Sequence, residues 1–206
     1  MGRCLFMRKG DTHTVPGSRL PAGYTELSYI QSSGTQYLDT NFVPNQNTRV
    51  VLDAETTKVS TAAIFGARQG NTSATFCAFN ISSTSVRSDY GTEQKTISVN
   101  SVLNRVVIDK NKNVFSYGNQ SVTHTESSFN AECSLLLLTN NFQGSANGES
   151  LTSAKLYSCQ IYDNDVLVRD FVPCIKDDGE VGLYDLVGKQ FYGNAGTGVF
   201  TGSEVA

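Results

Sequence analysis

The sequence predicts an all-β sandwich, and three observations carry that reading. Runs rich in β-branched and aromatic residues, bounded by Gly, Asn, Ser and Asp, recur about every 8–12 residues, the spacing of sandwiches and barrels. No segment sustains a 3.6-residue apolar period over a helix-length window of about 10–12 residues, so any helix is short. Charged residues are only 17% of the chain, so the polar surface must come from Ser, Thr, Asn and Gln. A length of 206 residues means one large domain or two small ones. A domain of this size buries ~70% of its unfolded surface, so disulfides are not required.

The elements follow in chain order. Residues 1–19 form a leader with four basic residues, Arg3, Arg8, Lys9 and Arg19. It is not expected to be a secretory signal. Leu5-Phe6-Met7 is followed at once by Arg8-Lys9, whereas an h-region needs about 7–15 apolar residues. Residues 10–23 read as a Gly/Pro-rich linker. Short termini order only when tied down, so Cys4, Leu5, Phe6, Met7 and Arg8 are the expected anchoring residues. They would add to a sheet edge or groove of another subunit; the alternative is a leader folded back on its own sandwich. The sandwich domain is placed at 20–206.

Within it, 24–32 and 35–40 are expected to pair as a hairpin around Ser33-Gly34. Strand 49–55 alternates, with Val50, Leu52 and Ala54 on one face and Val51 and Asp53 on the other. Strands 61–67, 74–81, 85–90 and 95–99 continue an up-and-down order. Segments 102–109, 113–117 and 121–125 read as a three-strand meander. The run Leu135 to Leu138 is apolar on both sides. One side faces the core; the other is covered by a loop or by another copy of the chain, which is the cue for a homo-oligomer.

Residues 155–162 alternate, with Leu156, Ser158, Gln160 and Tyr162 on one face and Lys155, Tyr157, Cys159 and Ile161 on the other. Asp163-Asn164-Asp165 is a turn, because Asx side chains bond nearby backbone and tolerate unusual dihedrals. Residues 166–172 return as a second strand, expected to stop at Pro173. A short hairpin and a glycine-rich tail close the chain.

Little of the sequence points to bond-breaking chemistry. Five cysteines (Cys4, Cys77, Cys133, Cys159 and Cys174) form no CxxC pair. They are read as free thiols, mostly buried, with a Cys159–Cys174 bridge as the alternative. His13 and His124 are expected at the surface. Triads are spatial, so counting does not decide their presence, and no G-x-S-x-G elbow supports one. Asp163-Asn164-Asp165 and Asp177-Asp178-Gly179-Glu180 are read as solvated turns, with weak Ca2+ binding as the alternative; no metal or cofactor is expected. The net charge of -3 offers no basic stripe for nucleic acid. No apolar run reaches the ~18 residues of a membrane span.

Three stretches carry a resemblance: YIQSSGTQYLDT (29–40), AKLYSCQIYDNDVLVRDFVPC (154–174) and VGLYDLVGKQFYGNAGTGVFTG (181–202). Together they resemble the concanavalin A-like, laminin G-like jelly-roll domains of phage structural proteins and of gut Gram-positive surface proteins. The resemblance spans roughly 20–202, a single-domain length. It implies a jelly roll whose first strands lie near its last. It further implies a non-catalytic virion protein, a head or tail fibre or decoration protein, assembled in the bacterial cytoplasm and attached to other virion proteins by its leader. The act implied is adhesion to host or mucosal glycans. A purely structural capsid or tail subunit, and a bacterial surface carbohydrate-binding module, are the alternatives. Glucanase relatives of this fold cluster carboxylates on one strand. Here Asp53 and Glu55 are the only such pair on a convincing strand, and two Thr follow, so hydrolysis is not expected. Sugars are held by aromatic faces and planar polar groups, and loops on a rigid scaffold carry function. Arg68, Asn71, Arg87, Tyr90, Asn141 and Phe142 lie in or beside such connections and are the candidate glycan-binding residues.

Overall fold

The computed structural model describes residues 19–59, 61–147 and 152–205; the leader residues Cys4, Leu5, Phe6, Met7 and Arg8, and His13, lie outside them. The described residues hold eighteen strands and no helix. These are β1 (Tyr24–Ser32), β2 (Leu38–Asp39), β3 (Thr48–Thr56), β4 (Ala62–Arg68), β5 (Thr75–Ser82) and β6 (Ser85–Gly91). Next come β7 (Glu93–Ser98), β8 (Arg105–Asn111), β9 (Val114–Tyr117), β10 (Gln120–Thr123), β11 (Leu136–Leu137) and β12 (Asn141–Phe142). The last are β13 (Ser145–Ala146), β14 (Ala154–Asp163), β15 (Val166–Lys176), β16 (Val181–Asp185), β17 (Gln190–Tyr192) and β18 (Thr201–Glu204).

They form two sheets. The first has ten strands in the order β10-β9-β8-β3-β14-β1-β15-β16-β17, with β18 lying along β1. The second has eight: β13-β12-β4-β5-β6-β7, with β11 pairing both β4 and β2. All pairings are antiparallel except the short one between β12 and β4. Inward residues of both sheets share one core: Val50, Leu52, Ile108 and Phe115 from the first, Phe65, Phe76 and Val86 from the second. The protein is therefore a β-sandwich, each buried Phe or Leu contributing ~1.5–3 kcal/mol.

Local chemistry explains most elements. In β3 the even positions from Thr48 to Thr56 are buried and the odd ones half-exposed, as the alternation predicts. The meander β8-β9-β10 forms as expected. The β14–β15 turn puts Asn164 (φ 48) and Asp165 (φ 66) in the left-handed region, the pattern of a two-residue hairpin turn.

Several expectations are corrected. β2 does not pair with β1; it crosses to the second sheet and pairs with β11. In β14 a bulge between Leu156 and Ser158 switches parity. Leu156 before it, and Cys159 and Ile161 after it, all point inward. β15 runs through Pro173 to Lys176. Phe171 is the last partner of β14 and Cys174 the first partner of β1, so Pro173 lies in the gap between two ladders. The four leucines are buried within the single chain: Leu135, Leu137 and Leu138 in the shared core, and Leu136, opposite Gly66, at 3% exposure. The cysteine expectation holds: Cys77, Cys133, Cys159 and Cys174 are buried free thiols, and the alternative Cys159–Cys174 bridge is not formed. Burial pushes the Cys77 and Cys174 thiols up to about 12.

The two ends of the domain hold each other. The Gln36 side chain locks its own turn, its Oε1 accepting from Ser33 N at 2.9 Å and Ser32 Oγ at 3.0 Å. The tail then lies on that turn. Thr197 N donates to Thr35 O at 3.1 Å, Ala195 N to Tyr37 O at 2.9 Å, and Tyr37 N to Asn194 Oδ1 at 3.2 Å. β18 continues the contact along β1, from Gln31–Thr201 to Leu27–Glu204.

Candidate functional site

The solvent side of the second sheet gathers cations and rings. Alternation along β4, β5 and β6 turns Ala67, Phe76, Ala78 and Tyr90 into the core. It turns Arg68, Phe79, Arg87 and Asp89 the other way. Phe79 lies directly across from Arg87, whose Cζ is 4.4 Å from the ring centre. Arg68 approaches the same ring at 5.7 Å and stands 5.0 Å over Phe142, its neighbour in the β4–β12 register. Such contacts contribute ~0.5–2 kcal/mol each and hold the guanidinium groups in place.

The two arginines differ. Arg87 is paired with Asp89: its Nε lies 2.8 Å from Oδ1, though out of line for a hydrogen bond, and an Nη donates to Oδ2 at 3.2 Å. Asp89 is fully buried. Burial pushes its carboxyl up from the ordinary value, and the charges of Arg87 and Lys110 draw it part of the way back. Arg68 has no carboxylate partner among the described residues, and its buried Nε has no acceptor.

Of the six candidates, Arg68 and Arg87 converge on Phe79, and Phe142 joins them through Arg68. Asn71 is joined to the same face through Gln94, whose Nε2 donates to the Asn71 carbonyl at 2.9 Å and reaches Asp89 Oδ2 at 3.4 Å. Tyr90 and Asn141 are corrections. Tyr90 is inside the sandwich at 3% exposure, its hydroxyl donating to Gln46 O at 3.0 Å. Asn141 is 5% exposed, its amide donating to Ser134 O at 3.0 Å. Both sit in sequence among polar residues, and only parity within the strands places them inward. Phe79 and Asp89 complete this face and are not among the residues that the sequence singles out.

On the opposite sheet the carboxylate pair is occupied. Arg105 Nε and Nη2 donate to Asp53 at 2.9 and 2.8 Å. Lys155 Nζ lies 3.4 Å from both oxygens of Glu55, and Tyr157 OH donates to Glu55 Oε2 at 2.8 Å. Burial and Glu55 push the Tyr157 hydroxyl up to about 12. These are exposed pairs, so Asp53→Asn with Glu55→Gln is expected to change stability by less than ~1 kcal/mol in urea titration. Sugar release seen in the wild type and lost in that variant would assign the pair a catalytic role.

A Ser-His-acid row does exist, and it is enclosed. Ser88 Oγ lies 3.0 Å from His124 Nε2, and His124 Nδ1 lies 3.4 Å from Glu93. Lys110 Nζ donates to the same Ser88 Oγ at 2.6 Å. Ser88 and Lys110 are fully buried and His124 is 2% exposed, which corrects the surface placement of His124. Burial, then Lys110, push His124 down to about 4, so its ring stays neutral. Lys110 itself is ringed by Phe76, Tyr90 and Phe115 at 4.9, 5.6 and 5.7 Å and is pushed down to about 7 by burial. Nucleophile and base are closed to any substrate, so the row packs the core.

The acidic turns are engaged internally. Asp163 Oδ1 accepts from Asn45 Nδ2 at 3.0 Å, Asp165 pairs with Lys112 at 2.8 Å, and Lys176 lies 2.9 and 2.8 Å from Asp178 and Glu180. Among the described residues no cluster of His, Cys, Asp and Glu fits a metal ion. Nor is any helix long and apolar enough to cross a membrane. Two open grooves lie elsewhere. One borders Asn104, Arg105 and Asn119, where Arg105 is committed to Asp53; the other borders Thr35, Tyr37 and Thr197, whose backbone groups hold the tail. The cation–aromatic face keeps unspent polar capacity and is the best candidate. Compared with known protein families and curated proteins, the chain matches no family model and no curated sequence.

Proposed function

We infer that the chain is a non-catalytic, lectin-like adhesion module with a concanavalin A-like jelly-roll topology, carried on a phage particle and recognising host or mucosal glycans. The observation that carries the binding reading is the cluster on the outer side of the second sheet in which Arg68 and Arg87 flank Phe79 and Arg68 also stands over the partly exposed Phe142. Rings cover the C–H faces of sugars, and guanidinium groups bond their hydroxyls. The engaged state of Asp53 and Glu55 supports binding without hydrolysis. The jelly-roll reading is supported by the contact between the 32–37 turn and the 194–198 tail, which joins two of the stretches behind the resemblance. The virion setting rests on that resemblance, with the leader as the attachment to other virion proteins. Display of several copies raises a weak single-site affinity through effective concentration, so a millimolar site suffices.

A glycan array probed with the purified chain tests this reading. Binding to at least one glycan class, weakened about tenfold by Phe142→Ala, is the expected result. A chain that binds no glycan, or whose binding ignores Phe142, rules the site out.

A further inference from the structure

We propose that the ligand of this face is an acidic sugar, bound through its carboxylate to Arg68. The proposal rests on the glycan reading above and names the class of glycan. Five arginines besides Arg68 make side-chain ion pairs with carboxylates within the domain: Arg19, Arg49, Arg87, Arg105 and Arg169. Among the described residues Arg68 makes none, and its buried Nε has no acceptor. Arg68 feels Asp89 only without direct pairing, and a guanidinium desolvated on one side with no ion pair is unusual, because burying charge is unfavourable unless it is paired.

The surroundings keep Arg68 from finding a partner of its own. The nearby carboxylate, Asp89, is turned toward Arg87. Phe79 and Phe142 lie 5.7 and 5.0 Å from its Cζ, and with Nε buried the two Nη groups are the donors left to face a ligand. Two Nη groups of one guanidinium match a planar carboxylate with two parallel hydrogen bonds, a fit that a neutral hydroxyl does not reproduce. The sugar ring next to that carboxylate would then lie against Phe142, which is partly exposed beside Arg68. The ligand class is therefore a hexuronate or another carboxylated pyranose.

The test uses the whole chain. Binding of an oligogalacturonate, a matched neutral oligosaccharide and a sulfated oligosaccharide is measured by titration at low and moderate salt. Three proteins are compared: wild type, Arg68→Met and Arg105→Gln, with thermal unfolding of each recorded alongside. The expected result is about a tenfold preference for the carboxylated over the neutral sugar in wild type, weakened by salt. Arg68→Met should lose that preference while keeping residual neutral binding, and Arg105→Gln should retain it. Equal binding of neutral and carboxylated sugars, stronger binding of the sulfated one, or a preference that survives Arg68→Met in a folded protein overturns the proposal and leaves the glycan reading standing. Absence of binding to all three sugars overturns the proposal, and the array result then decides the glycan reading separately. Should Arg68→Met fail to fold, Arg68→Lys keeps the charge without the planar fork, and an undiminished preference there overturns the two-bond geometry.

Discussion

Replacing Lys110 with methionine is expected to flatten the dependence of stability on pH between about pH 7 and 8.5. Lys110 is fully buried, and desolvation depresses its folded-state value to about 7. In the unfolded chain it titrates near ~10.4. Between those values the unfolded state holds a proton that the folded state lacks, so stability rises with pH, at up to ~1.4 kcal/mol per unit. Below 7 both states are charged and this gain is absent. Over the window the wild type should gain up to ~2 kcal/mol relative to the variant, read from urea midpoints at fixed salt. The window stops near 8.5 because the buried thiols act oppositely. Cys77 and Cys174 are raised in the folded state, so their stabilisation is present below the unfolded thiol value of ~8.5 and lost above it. His124, depressed to about 4, adds a separate loss of stability as pH falls from ~6.5 toward 4, which Lys110→Met weakens without removing, since burial is the larger cause. Parallel curves for wild type and variant from 7 to 8.5 would show that Lys110 keeps an ordinary value. Methionine is the right replacement because it fills the aromatic cage without a charge, whereas alanine would open a cavity and confound the reading.

Gly196→Ala should lower the melting temperature by about 2–12 °C. A Cβ at this position would run into the carbonyl oxygen of Thr35 and lie 2.9 Å from the Tyr37 ring. The obstruction is backbone on one side, so relief requires lifting the tail from the 32–37 turn. Overpacking of this kind costs ~1–3 kcal/mol, and a domain of this size loses ~2–4 °C per kcal/mol. Gly70→Ala is the matched control, since its nearest new neighbour, Ser73 Cβ, lies at an ordinary 3.4 Å. Differential scanning calorimetry of the two proteins gives the comparison. Equal melting temperatures would mean that the tail lock contributes nothing to stability.

Much of the sandwich was legible in the sequence because period-2 alternation and turn chemistry are local. Val50, Leu52 and Ala54 declare the inward face of β3 without outside help. The failures arise where one residue resets the count or a partner lies far along the chain. The bulge near Tyr157 inverts the parity of β14, and no residue type announces it. Leu38–Asp39 follows β1 closely yet pairs with Leu136–Leu137, a choice made by the core. The candidate face was half legible. Arg68, Arg87 and Phe142 were chosen as polar or aromatic residues near connections, a criterion that selected Tyr90 and Asn141 equally. Parity would have separated them, since Tyr90 shares its face with Val86 in β6. It would also have placed Lys110 beside Ile108 on the inner face of β8, where charge alone argues for solvent.

The pairing of β18 with β1 has a mechanical consequence. Glu204 lies opposite Leu27, so the C-terminal end of one strand and the N-terminal part of the other occupy the same corner. Tension applied between the two ends would open their shared ladder one rung at a time, and it would yield at low force.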